Sequence, residues 1–296
     1  MINYERLVSL IGEEEYERYE RELRRKFKKL KFTDDFMFGR LMSDERICRI
    51  VLEVFTGRKV EDIQSIIDQR TLRDTSESKE VRYDVYVETD KSVHDIEMQQ
   101  VDDKKTIRNL PKRSRFYQGM LDLNVLKKGK DYETLKDSYV IFICTFDPFG
   151  EDLCCYNYEN TCRDGERRFQ KDGRSILFFN TKGNINNVSK EVQAMLKYME
   201  TGEATDEITR SIDNEVEQMH FDGAALADYL IRQMQQRERD MAAEQRGIKK
   251  GMKEGRKEGK ISMLKQLVDS GDISLEVAAK RMGVKVKEFE EMIKEK

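Results

Sequence analysis

Two acids on neighbouring extended runs are the residues best placed to do chemistry. In VRYDVYVETDKSVHDIEMQQ, residues 81–100, Asp84 lies in the first run, and Glu97 and Gln99 lie two apart in the second. Residues two apart on a strand share one face. Tyr83, Val85 and Val87 alternate with Arg82, Asp84, Tyr86 and Glu88, a period of two rich in β-branched and aromatic side chains. The polar link Asp90-Lys91-Ser92 suits a hairpin turn. Folded there, the chain brings Asp84 roughly opposite Glu97. Two carboxylates on rigid strands beside open water suit a hard divalent cation such as magnesium.

The segment that follows is basic. Lys104, Lys105, Arg108, Lys112, Arg113 and Arg115 are six cations with no acid among residues 104–115. Arg108, Lys112 and Arg115 sit at i, i+4 and i+7 and share one helical face. That face can hold a phosphate backbone over the metal, or it can be a plain solvated surface. Upstream, Thr33 or Asp34 can cap a helix. Asp35, between aromatic neighbours near that helix start, is either part of the cap or part of the site.

These residues need a scaffold, and the chain supplies one. Ile47, Ile50, Val51, Val54 and Phe55 define a core helix from about Ser43, stopped by Gly57. Ile63–Leu72 reads as one strand and residues 74–80 as a polar loop. Asp102 or Asp103 can cap the basic helix, with Pro111 near its first turn and Gly129 at its end. SYVIFICTF, residues 138–146, and SILFFN within 174–180 are continuous apolar runs, the pattern of strands covered on both faces. Asp147-Pro148-Phe149-Gly150 and Arg163-Asp164-Gly165 read as turns. A helix follows from about Ser189. The middle of the chain is therefore an α/β core with mixed connections.

Composition narrows the rest. The 296 residues carry 38% charged and 38% hydrophobic side chains and a net charge of −3, so a nucleic-acid site must be a local patch. Five cysteines without a CxxC pair and only two histidines argue against zinc and for reduced thiols. The N-terminus lacks a signal-peptide core and no apolar run could span a membrane, so a soluble, cytoplasmic protein is expected.

Charged helices flank the core. Residues 1–31 form an amphipathic helix, acidic first and basic last, which complements the helix dipole. Residues 203–243 are polar helix. Gly247, Gly251, Gly255 and Gly259 then recur every four residues, in a stretch 246–260 with seven basic and two acidic residues. Interior glycines weaken a helix, so this stretch is either a close helix–helix approach or a flexible tether, and either lies beside nucleic acid or is simply solvated. Residues 261–296 have a helix-turn-helix outline, but the second helix is acidic at Glu288, Glu290, Glu291 and Glu295. It reads as a packing or dimerisation unit or as a DNA reader.

At TDDFMFGRLM, RYDVYVETDKSVHDIEMQ, LPKRSRFYQGMLD with KKGKDY, and YVIFICTFDPF, the chain resembles the PD-(D/E)XK nuclease superfamily, in its recombination-promoting nuclease and putative transposase branch. The Gly-repeat tail is also similar to tails seen there. The resemblance implies a restriction-endonuclease-like mixed central sheet flanked by helices, here with an α-helical C-terminal extension. The expected division of the chain is 1–31 for the N-terminal amphipathic helix, 32–200 for the nuclease-like domain, 201–260 for a helical region with the Gly repeat, and 261–296 for the tail. It implies Asp84, Glu97 and the Met98 carbonyl as ligands of Mg2+ or Mn2+, with Gln99 where many superfamily members place Lys, and Asp35 matching an acidic N-terminal motif. The expected activity is metal-dependent hydrolysis of double-stranded DNA, with Lys104, Lys105, Arg108, Lys112 and Arg115 on the DNA. Coiled-coil or other helical tails would mediate a homo-oligomer. The alternative is a catalytically inactive DNA-binding or assembly protein that keeps the fold.

Overall fold

The computed structural model describes residues 4–60, 62–72, 80–100, 103–126, 129–162, 168–169 and 172–294. The chain divides into a larger unit, Glu22–Tyr229, and a smaller one formed by Met1–Arg21 and Leu230–Lys296.

The larger unit is built on a six-stranded mixed sheet. Its strands are β1 (Ile63–Asp68), β4 (Val85–Thr89), β5 (Ser92–Gln99), β6 (Asp137–Cys144), β7 (Cys155–Tyr158) and β10 (Arg174–Asn180). They run in the order β1-β4-β5-β6-β10-β7. The β1–β4, β4–β5 and β10–β7 pairs are antiparallel, and β5–β6 and β6–β10 are parallel. Two-stranded ribbons join β2 (Thr71–Leu72) to β3 (Val81–Arg82), and β8 (Thr161–Cys162) to β9 (Arg168–Phe169). One face of the sheet is covered by α3 (Asp35–Met42), α4 (Glu45–Thr56), α6 (Lys190–Thr201) and α7 (Glu207–Met219), around Met37, Ile47, Val51, Ile141, Phe179 and Met195. The other face is covered by α5 (Lys104–Val125), around Tyr83, Tyr86, Leu110, Leu121, Phe142 and Phe178. Both faces being covered explains why the in–out alternation expected of Tyr83–Glu88 does not survive as burial: Val85, Tyr86 and Val87 are all inaccessible.

Local signals act as physical chemistry requires. Asp44 accepts hydrogen bonds from the amides of Arg46 and Ile47 to start α4, and Gly57 ends it in the left-handed conformation at φ 64°. Ser189 caps α6, and Asp103 caps α5 by accepting from Lys105 and Thr106. Asp147 accepts from the amides of Phe149 and Gly150 in the expected turn.

Five expectations change. The strand foreseen over Ile63–Leu72 is split into β1 and β2 at Gln69, whose φ of 54° no strand tolerates. Pro111 lies inside α5 rather than at its first turn, because Asp103 caps the helix and Lys104, seven residues before Pro111, is its first residue. α5 stops at Val125, short of Gly129. The N-terminal helix is two helices, α1 (Tyr4–Ile11) and α2 (Glu13–Phe27), separated by Gly12 at φ 83°. The Gly repeat is helix, not tether. It lies within α8 (Gly223–Asp269), and nothing stands within 4 Å of where a Cβ would be at Gly247, Gly251, Gly255 or Gly259. No close helix approach therefore explains these glycines. The surrounding Ala, Lys, Arg, Glu and Met are strong helix formers and carry the segment through them. Residues 74–79, Asp102 and the Arg163-Asp164-Gly165 turn lie outside the described residues.

In the smaller unit, α9 (Leu275–Met282) and α10 (Val286–Lys294) flank Gly283 and bury Ala278, Ala279 and Phe289 against Leu264 of α8. Val284 packs in the turn. Among the described residues no helix is long and apolar enough to cross a membrane.

Candidate active site

The β4–β5 hairpin sets the site. Val85 pairs with Ile96 and Tyr86 with Asp95, so the next position inward puts Asp84 opposite Glu97. The ladder does not continue through that pair. The Asp84 amide instead donates to Glu97 Oε1 at 3.0 Å, and the Met98 amide donates to Asp84 Oδ2 at 3.0 Å. Side-chain carboxylates have taken the places of main-chain carbonyls, which is why β4 begins at Val85 and Asp84 sits just outside it. The exchange holds the two acids together on one face. Glu97 is buried, and Asp84 is half-buried. The N–H and C=O of one strand residue leave along the same edge, so the Met98 carbonyl shares the edge on which Asp84 lies.

Gln99 lies on the Glu97 face, and one side chain spans both. Arg113 of α5 donates to Glu97 Oε2, and to Gln99 Oε1 at 2.7 Å. Its guanidinium also lies over the rings of Tyr117, at 4.8 Å, and Phe142, at 5.3 Å. Asp95, on the same strand face, is fully buried, and as a carboxylate neither of its oxygens has a hydrogen-bond partner. Burial, reinforced by the neighbouring Glu97 charge, pushes its pKa well up. As the neutral acid it can donate to Glu97, which gives one of the two oxygens a partner.

Burial also raises Glu97 to about 7, with the Asp84 charge adding to it. Asp84 rises to about 6, mainly through burial, while the bond from Met98 opposes the rise and the nearby Asp35 charge adds to it. Asp35 is the first residue of α3 and keeps an exposed edge; partial burial of its carboxyl, then the adjacent Asp34, raises its pKa. The Gln100 amide donates to the Thr33 carbonyl and ties the end of β5 to the turn before α3. Asp34 is the residue before the helix, but its carboxylate accepts from the Lys31 amide and makes no cap bond. Asp35 is thus within electrostatic reach of Asp84. His94 faces the other layer, stacked on Tyr139 at 4.8 Å, and burial depresses its pKa to about 3.

Lys104, Lys105, Arg108, Lys112 and Arg115 are all exposed on α5, on the helix that delivers Arg113. Two residues of this constellation escaped the sequence reading, Asp95 and Arg113. Arg113 had a signal: it falls three residues after buried Leu110 and four before Tyr117, on the apolar stripe of α5 and not on its basic face.

A sequence profile of PD-(D/E)XK nuclease family transposases matches residues 32–250, about three-quarters of the chain. The chain belongs to that family. No curated protein and no solved structure matches it. The mixed six-stranded sheet with helices on both faces is the PD-(D/E)XK α/β fold, and nucleases of this family typically use divalent metal ions. The donor chemistry of the cluster at Asp84, Glu97 and Met98 fits such an ion: every candidate ligand is an oxygen, as hard cations require. Among the described residues, no three His, Cys, Asp or Glu side chains converge to hold a metal by themselves. An ion here would rest on two carboxylates, a main-chain carbonyl and water, a set that suits magnesium, which keeps several waters.

Proposed function

We propose that this family member is a divalent-metal-dependent endodeoxyribonuclease, with Asp84, Glu97 and the Met98 carbonyl as the residues that would hold Mg2+ or Mn2+. The observation that carries the reading is the reciprocal exchange between Asp84, Glu97 and Met98, which draws two acids together at the end of a rigid hairpin. A bound ion would supply an activated water and offset charge on the phosphate.

The chain's own residues do the rest. Gln99 orients the attacking water through an amide that carries no charge. Asp35 adds negative charge beside Asp84. Lys104, Lys105, Arg108, Lys112 and Arg115 neutralise phosphates on either side of the scissile one. In the reaction the water oxygen bonds to phosphorus, the bond from phosphorus to one sugar oxygen breaks, and that oxygen takes a proton. The substrate is double-stranded DNA. Self-association through the helical C-terminal region is part of this reading, and sedimentation equilibrium tests it directly.

Nicking of supercoiled plasmid with magnesium, comparing wild type with Asp84→Asn and Glu97→Gln, tests the assignment. Loss in both folded variants supports it, and equal activity in all three rejects it. A second reading, a DNA-binding or assembly protein without catalysis, draws on the ion pair between Arg113 and Glu97. It predicts DNA binding without nicking in every metal.

A further inference from the structure

We infer that Arg113 is the cation of this active site: it holds Glu97 and Gln99 while no metal is bound, gives up Glu97 to the metal, and then contacts the phosphate being cleaved while Gln99 still holds it. The inference rests on the nuclease reading above and adds a residue and a sequence of contacts to it.

The argument begins with charge. Glu97 is 1% exposed, and a buried carboxylate needs a partner. Arg113 provides one, and a guanidinium does not lose its proton in a protein, so its charge persists at any working pH. The residue on the strand itself, Gln99, offers an amide dipole only. Arg82 also acts on Asp84, but it is exposed; without Arg113, the wall formed by Glu97 and Gln99 would present a carboxylate and an uncharged amide to a phosphodiester that is itself an anion.

Geometry gives Arg113 two holds of unequal kind. One is on Glu97, a group the metal would claim. The other is on the Gln99 amide oxygen at 2.7 Å, which is a weaker ligand for a hard cation than a carboxylate. Arg113 would therefore lose Glu97 to a metal held by Asp84 and Glu97 and keep Gln99. The Arg113 side chain is 33% exposed, so the freed N–H groups have a path to solvent, where the phosphate would lie. Its base stays fixed by α5 and by the rings of Tyr117 and Phe142. The planar fork then matches phosphate oxygens in a way that a single ammonium would not.

Competition makes a prediction whose sign a merely structural arginine would not give. The full-length chain is titrated with Mn2+ alone at pH 8 and free Mn2+ is followed by electron paramagnetic resonance, for wild type, Arg113→Met and Arg113→Lys. Thermal melts establish that each is folded. The expected result is Mn2+ binding at least about fivefold tighter in Arg113→Met, the low end of coupling between ligands that share a group. Plasmid nicking by the same variant falls by about a hundredfold or more, the usual loss on removing one preorganised donor to a developing oxyanion. Unchanged or weaker Mn2+ binding in the folded variant overturns the proposal, as does unchanged nicking. Should Arg113→Met fail to fold, Arg113→Lys decides. Its ammonium lacks the planar fork that places one nitrogen on Glu97 and the other on Gln99 and holds the pair less firmly, so Mn2+ still binds more tightly than to wild type, and affinity at or below wild type overturns the proposal. Wild type that neither binds Mn2+ nor nicks DNA removes the nuclease reading and this proposal together. Wild type that does both, with no gain of affinity in the arginine variants, removes only the role of Arg113.

Discussion

Replacing Glu97 by Gln should stabilise the metal-free protein and abolish its response to metal. Glu97 rises from an ordinary 4.5 to about 7 because it is buried and faces Asp84, and the rise persists in spite of Arg113. Between those two pH values the folded protein holds a proton that the unfolded chain has released. Stability is therefore lost as pH climbs through that window, and the full loss is in place above pH 7. At 1.36 kcal/mol per pH unit, the loss is about 3 kcal/mol. Glutamine cannot ionise and has the shape of the neutral acid, with its amide oxygen keeping one of the two acceptor positions. Wild type and Glu97→Gln should thus be equally stable near pH 4 and diverge by about 3 kcal/mol at pH 8. For a unit of this size, that is roughly 6–12 °C in Tm. Urea or thermal unfolding in EDTA across pH 4–8 measures the difference, and titrating groups remote from Glu97 cancel in the comparison. Part of the rise comes from Asp84, so the gap narrows in an Asp84→Asn background. Magnesium should reverse the order: with the ion held by Glu97 as proposed, wild type would gain about 2.7 kcal/mol at a hundred times Kd, and the variant would gain nothing. A Glu97→Gln protein less stable than wild type at pH 8 in EDTA would refute the reasoning, because the ion pair with Arg113 would then outweigh the burial of the charge.

Three further outcomes follow from the same coordinates. Changing Arg108, Lys112 and Arg115 together to Gln should leave the melting curve unaltered, since all three are exposed, and should reduce the slope of log K against log salt for duplex DNA by about 2–3, near 0.9 per lost phosphate contact; an unchanged slope means that this face does not meet DNA. Alanine at Gly247, Gly251, Gly255 and Gly259 should strengthen α8 by about 1 kcal/mol per site, because open space surrounds each position, and amide exchange in that stretch should slow; faster exchange would reveal a contact that needs the bare backbone. Asp44→Ala should destabilise the larger unit by about 1 kcal/mol through the amides of Arg46 and Ile47 that lose their acceptor, as read from chemical denaturation, and no change would mean that water caps α4 equally well.

What the sequence by itself determined is mostly local. The opposition of Asp84 and Glu97 follows from a turn at Asp90-Lys91 and a period of two, and thirteen residues separate the acids along the chain. The strand at Arg174–Asn180 and the starts of α4, α5 and α6 at Asp44, Asp103 and Ser189 are likewise written in short stretches, since a cap or an apolar run acts on its own neighbours. Tertiary structure decided the electrostatics. Asp95 alternates with Ile96 like any strand acid, and its confinement comes from α5 lying over that face of the sheet. Arg113 belongs by sequence to a run of cations, and only the docking of α5 on β5 and β6 separates it from Arg108, Lys112 and Arg115 and turns it onto Glu97 and Gln99. Burial and cross-layer contact are properties of packed surfaces far apart in the chain, so the charge balance of the site emerges only when the layers close.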